Sequence, residues 1–137
     1  MIAALSRALP ALAAVLLAGL VLGCAKRPEF TGEEGLASSQ LHDIWGFYQL
    51  HQEQHKSPPS KLEDVEEYAI GYATGFDAVR AGDYVVQWGV ALTEPGDADS
   101  VLAYHRNVPV QGGLILMRNG SIKRVTAAEF QALAKGR

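Results

Sequence analysis

Leu114-Ile115-Leu116-Met117-Arg118-Asn119-Gly120-Ser121-Ile122-Lys123-Arg124-Val125 is the stretch that decides the fold. Two apolar runs flank Asn-Gly, a dipeptide that tolerates positive φ at both turn positions, so the expectation is a type I′ β-hairpin. Directly after it, Thr126-Ala127-Ala128-Glu129 has the spacing of a capping box and opens a helix. Phe130 and Leu133 would pack that helix back onto the sheet. Directly before it, Val101–Tyr104 reads as a strand and Asn107–Gly113 as a loop. Further upstream, Tyr84 to Leu92 alternates, with Tyr84, Val86, Trp88, Val90 and Leu92 on one face, the pattern of a half-buried antiparallel strand.

The other half of the chain is helical. Between Leu36 and His55, Leu41, Ile44, Trp45 and Tyr48 fall at i, i+3, i+4 and i+7, and Phe47 and Leu50 widen that stripe. Gly46 interrupts a helix where alanine would be better by about 1 kcal/mol, which points to a close backbone approach. Ser57-Pro58-Pro59 stops the helix, because proline lacks a donor and disfavours α geometry in the residue before it. Ser60-Lys61-Leu62-Glu63 has capping-box spacing and starts a second, short helix to about Tyr68. Residues 69–83, with Gly71, Gly75 and Gly82, read as a loop holding at most a turn of helix. The expected fold is therefore α+β. One principal N-terminal helix packs on a small antiparallel sheet of three to four strands, and a short C-terminal helix completes it.

Composition separates the first 23 residues from the rest. They hold 18 hydrophobic residues and one charge, Arg7, whereas the remaining 114 have ordinary globular composition and suit one small domain. Ala8 to Ala25 carries no charge. A basic start, an apolar Ala/Leu-rich run and a small-residue exit describe a secretory signal, although 18 uncharged residues also reach the lower limit for a membrane span. Cys24 is the single cysteine, which excludes a disulfide framework and any cysteine-based zinc cluster. A net charge of −3 gives no basic excess for nucleic acid. Charge is split unevenly: residues 24–100 carry 5 basic and 14 acidic side chains, residues 101–137 carry 6 and 1.

Val21-Leu22-Gly23-Cys24, at the end of the apolar run, resembles the lipobox of bacterial lipoproteins. The resemblance implies a diacylglyceryl thioether on Cys24, cleavage after Gly23 and palmitate-type acylation of the new amine. It divides the chain into a signal peptide at 1–23, a lipidated tether at 24–35 and a single α+β domain at 36–137. The expected place is the cell envelope, membrane-anchored and facing the periplasm or exterior. The Pro- and Gly-containing tether would let the domain stand off the bilayer. Ala25 is not the aspartate that retains enterobacterial lipoproteins at the inner membrane, and the choice of membrane stays open.

A second resemblance spans residues 35–65 and 101–131. An aromatic-rich helix followed by His55-Lys56-Ser57-Pro58-Pro59-Ser60-Lys61-Leu62 is similar to the end of the helix in pseudopilins and type IV prepilins. Gly112-Gly113 through Lys123, followed by the Thr126-started helix, resembles the closing hairpin of prepilin-like proteins of planctomycetes, with Asn119 in place of their usual aspartate. The implied body is a pilin-like headgroup. Prepilins keep their hydrophobic helix to polymerise. Here the run ends in Cys24 and would be removed, which implies a headgroup on a lipid tether.

Catalytic signatures are absent from the sequence: it contains no Gly-x-Ser-x-Gly, Walker loop or dinucleotide glycine fingerprint, and the expectation is a non-enzyme without a cofactor. The alternative function is a periplasmic metal or small-ligand binder. It would use His51 and His55, four apart on the helix, with His42 or a carboxylate as a third ligand. Trp45, Tyr48, Trp88 and Tyr104 could line a groove that stacks on sugars or peptides, or could simply fill the core. Glu63, Asp64, Glu66 and Glu67 could hold Ca²⁺ loosely but lack the spacing of a calcium loop, so a solvated helix face explains them better.

Overall fold

A computed structural model describes residues 30, 32–94 and 100–135. The signal-like segment, Cys24 and most of the tether lie outside the described residues. Helix α1 runs Glu33–His55, entering the segment assigned to the tether, with Glu33 and Glu34 in its first turn, where carboxylates suit the positive end of the helix dipole. Lys56 ends it in the left-handed conformation ahead of Ser57-Pro58-Pro59. A 3₁₀ helix, Leu62–Tyr68, follows. Its start differs from the capping box expected at Ser60 and Glu63: the carboxylate of Asp64 accepts the Ser60 N–H at 2.8 Å.

Helix α2, Ala73–Arg80, occupies the stretch expected to be mainly loop. Gly75 explains the difference. A Cβ at that position would lie 2.4 Å from Asp43 Cβ and 2.6 Å from the Gln40 carbonyl, so the glycine permits α2 to touch α1 rather than breaking the helix. Gly46 serves the same end on α1, where an added Cβ would meet the Tyr72 ring at 2.2 Å.

The sheet is an antiparallel meander in the order β1 (Tyr84–Val86), β2 (Val101–His105), β3 (Gly113–Met117), β4 (Ile122–Val125). Strand β3 is apolar throughout because both its faces are buried. Leu114 and Leu116 join Leu41, Ile44, Phe47 and Tyr48 of α1 in one core. Ile115 and Met117 join Val108, Val125 and Phe130 in a second, beneath helix α4 (Ala127–Lys135). The register of β2 slips between Val101 and Ala103, so Leu102 and Ala103 both reach the α1 side. Helix α4 starts as read: Thr126 Oγ1 accepts the Glu129 N–H at 3.1 Å, and Phe130 is buried against the sheet.

Three local expectations are corrected. The β3–β4 turn is not type I′. Gly120 has φ +87° while Asn119 keeps negative φ, and the Met117 carbonyl accepts the Gly120 N–H at 3.0 Å. That is a three-residue loop closed by a glycine bulge. The loop at 107–113 contains one short helical turn, α3 (Val108–Gln111). Strand pairing at Tyr84 stops after Val86, where Gly89 takes φ +80° and donates its N–H to the Pro59 carbonyl instead of a strand neighbour. The uneven charge split draws two exposed links across the fold, Arg124 to Glu34 and Arg106 to Asp83. Exposed pairs of this kind add little stability.

Candidate functional site

His51 and His55 stack on the last turns of α1, ring centroids 4.4 Å apart. His51 is buried, and its Nδ1 faces the Ser57 carbonyl at 3.1 Å, so that nitrogen carries the proton and the contact helps close the turn after α1. His55 is half exposed, with Nε2 3.4 Å from Glu67 Oε1 on the 3₁₀ helix. His42 lies elsewhere and bonds back to the Ser38 carbonyl at 2.7 Å. One nitrogen of each member of the pair is thus engaged. Among the described residues, no three His, Cys, Asp or Glu side chains converge to hold a metal ion. Glu63, Asp64, Glu66 and Glu67 line the 3₁₀ helix, with Asp64 on the Ser60 N–H and Glu67 beside His55.

The four aromatic residues divide between the two cores. Tyr48 is fully buried, stacks on Trp88 at 6.0 Å, and donates its hydroxyl to the Val90 carbonyl at 2.6 Å. Burial pushes its pKa up to about 12. Tyr104 sits on the opposite face of the sheet against Phe130, ring centroids 4.6 Å apart. Trp45 is partly buried at the tip of the hairpin, where Gly120 leaves room for its indole. Tyr104 therefore packs in a different core from Trp45, Tyr48 and Trp88.

Two of the clefts among the described residues gather polar side chains. One, of about 420 Å³, opens where α1 begins, between its first turns and the ends of β1–β3. Tyr84 donates to Gln40 Oε1 there at 2.9 Å and meets the His105 ring edge-on at 5.4 Å. Burial, reinforced by the Asp83 carboxylate, pushes the Tyr84 hydroxyl up to about 12. At its rim the Arg124 guanidinium holds the Glu34 carboxyl below the usual carboxylate range through a two-pronged contact of 2.8 and 2.6 Å.

The other cleft, of about 390 Å³, lies near the far end of α1 between Trp45, Gln49 and Gln52 and the irregular segment Leu92–Glu94. Sequence reasoning passed over Gln49, Gln52 and Thr93. The available signal was the spacing of Trp45, Gln49 and Gln52 at i, i+4 and i+7, which lays an aromatic and two amides along one helix face.

No family model matches the chain, and neither a curated protein nor a solved structure matches it.

Proposed function

We propose that the chain is a membrane-anchored cell-envelope lipoprotein, held to the bilayer by an acylated Cys24. Its role is non-enzymatic, structural or in protein interaction, as an accessory of a secretion or pilus-like system. The observation that carries the reading is Val21-Leu22-Gly23-Cys24 placed at the end of an uncharged apolar run. A thiol is nucleophilic enough to be alkylated at the interface, and each buried methylene of the added chains contributes about 0.8 kcal/mol to anchoring. Two or three chains then hold firmly where one would not. Among the described residues, no helix is long and apolar enough to cross a membrane. The accessory role rests on the prepilin resemblance, whose headgroups share the general layout of a long N-terminal helix laid on an antiparallel sheet.

Intact-mass analysis of the native protein extracted from membranes tests the anchor. The expected species starts at Cys24 and carries a diacylglyceryl group and an amide-linked acyl chain. Cys24→Ala should abolish both cleavage and acylation. Residues 1–23 still attached to a bare Cys24 would overturn the reading. Co-purification after cross-linking in cells tests the accessory role, which fails if no secretion or pilus component is recovered. Calorimetric titration with Zn²⁺ addresses the binder reading: heat that disappears in His51→Ala would favour the metal site over the interaction role.

A further inference from the structure

Residues 88–94 leave the sheet, yet side chains hold their course. The Tyr48 hydroxyl donates to the Val90 carbonyl, Gln52 Oε1 accepts the Leu92 N–H at 2.8 Å, and Arg118 donates through Nε and Nη2 to the Ala91 carbonyl at 2.8 and 2.6 Å. The Arg118 carbonyl takes the Thr93 N–H at 3.0 Å. An irregular segment pinned this way is a fixed wall on a rigid scaffold, the usual setting for a binding surface. Between this wall and α1 lies the cleft of about 390 Å³, within the size range of small-ligand sites.

The hydrogen-bonding capacity of the lining can be assigned atom by atom. Gln52 Oε1 is committed to Leu92, which fixes the amide orientation and leaves its two Nε2 hydrogens to donate. Gln49 donates to Glu53 Oε1 at 3.0 Å, leaving its own carbonyl oxygen and the second Glu53 oxygen to accept. The Thr93 hydroxyl is buried with no partner among the described residues, an arrangement that costs free energy unless something completes it. Trp45 adds an aromatic surface to this row of donors and acceptors.

We propose that this cleft binds a neutral saccharide, with the C–H face of a pyranose against the Trp45 indole and its hydroxyls bridging Gln49, Gln52 and Thr93. An apolar ligand would strand these polar groups. Glu53 and Glu94 disfavour an anion, and the lining offers amides and a hydroxyl more than a concentrated negative charge for a basic peptide. The cleft lies toward the end of α1 remote from Gly32, so an anchored chain would present it away from the bilayer. The cleft alone carries the proposal, whatever holds the chain to a membrane.

The full chain in detergent micelles is titrated with tetramers of N-acetylglucosamine and of glucose, reading the indole N–H resonances of Trp45 and Trp88. The expected result is a saturable shift at Trp45 with a dissociation constant of about 1 mM or tighter, and little change at Trp88. Binding of both tetramers supports recognition through hydroxyls, and binding of the N-acetylated one alone supports an amide-bearing glycan. Gln52→Glu keeps an oxygen for the Leu92 N–H and deletes the donors, so it should weaken binding about five- to tenfold while the urea midpoint holds. The proposal is overturned if neither tetramer moves Trp45 at about 10 mM, a concentration well above millimolar dissociation constants. Equal binding by Gln52→Glu, or a response to tetralysine alone, overturns it as well.

Discussion

Replacing Gly75 by alanine isolates the contact that places α2. In a helix interior this change normally stabilises, by up to about 1 kcal/mol, because alanine loses less backbone freedom on folding. Here the added methyl would stand 2.4 Å from Asp43 Cβ, 2.6 Å from the Gln40 carbonyl oxygen and 3.2 Å from the Ile44 nitrogen. Those atoms belong to the α1 backbone or sit directly on it, so no side-chain rotation relieves the overlap. Overpacking of a closed contact costs about 1–3 kcal/mol, and a collision with backbone belongs at the top of that range. Separation of the helices would also lengthen the 2.9 Å bond from the Gly75 N–H to Asp43 Oδ2. The net expectation is a loss of about 2 kcal/mol after the helix-propensity gain. In a domain of this size that is a fall in Tm of about 10 °C. Urea titration at unchanged m, compared with Gly71→Ala, provides the measurement. A methyl at Gly71 meets only the Tyr68 carbonyl at 3.7 Å, so that variant should be neutral or slightly stabilised. If Gly75→Ala matched or exceeded the stability of the parent, the close packing of α2 on α1 would be wrong.

Three further outcomes follow from local geometry. Two of the five tyrosines, Tyr48 and Tyr84, should titrate near 12 rather than 10 when phenolate absorbance is followed. Because the folded values lie above the unfolded one, their contribution to stability is complete below pH 10 and is lost as pH rises from 10 to 12. A folded-state spectrum with no phenolate forming above the ordinary tyrosine range would contradict their burial. Gly120→Ala should cost about 2 kcal/mol by chemical denaturation, since φ is +87° and the new methyl would sit 2.8 Å from the Trp45 ring. Indifference to that change would remove Trp45 from beneath the turn. Thr126→Ala deletes the hydroxyl that accepts the Glu129 N–H and should cost about 1 kcal/mol, whereas Thr126→Ser should restore most of it.

Burial was more legible in the sequence than backbone pairing. Leu41, Ile44, Trp45, Phe47 and Tyr48 of the α1 stripe, the apolar run of β3 and the Phe130–Leu133 face of α4 all pack as their spacing indicates. Each reports a face turned from water, which depends on periodicity alone. The turn type at Asn119-Gly120 depends also on how many residues the loop excludes from the ladder, and the dipeptide does not encode that number. Asn119 keeps negative φ and turns its side-chain oxygen to the Ser121 N–H at 3.0 Å, leaving the left-handed position to Gly120 alone. Helix α2 was hidden because Gly75 breaks a helix considered alone but fits one considered against a neighbour. That neighbour is about 32 residues upstream, and its identity comes from tertiary packing.

The segment from Tyr84 to Leu92 shows why the candidate cleft was the least legible feature. Its alternation is real: Tyr84 and Val86 are buried, and Trp88, Val90 and Leu92 pack against the same core. A strand and an extended segment with no strand neighbour can bury the same alternate residues, so the pattern did not distinguish them. They differ in where the backbone groups go. Beyond Gln87, whose N–H still reaches the Leu102 carbonyl of β2, the partners include Pro59, Tyr48, Gln52 and Arg118, drawn from a proline turn, a helix and a hairpin. No local pattern specifies such a set. Gln52 reads as an ordinary solvated helix residue until the Leu92 N–H, 40 residues away, arrives at its carbonyl oxygen. The polar atoms that wall the cleft are thus the ones whose assignment requires tertiary contacts, while the apolar atoms beneath them obey the period of the chain.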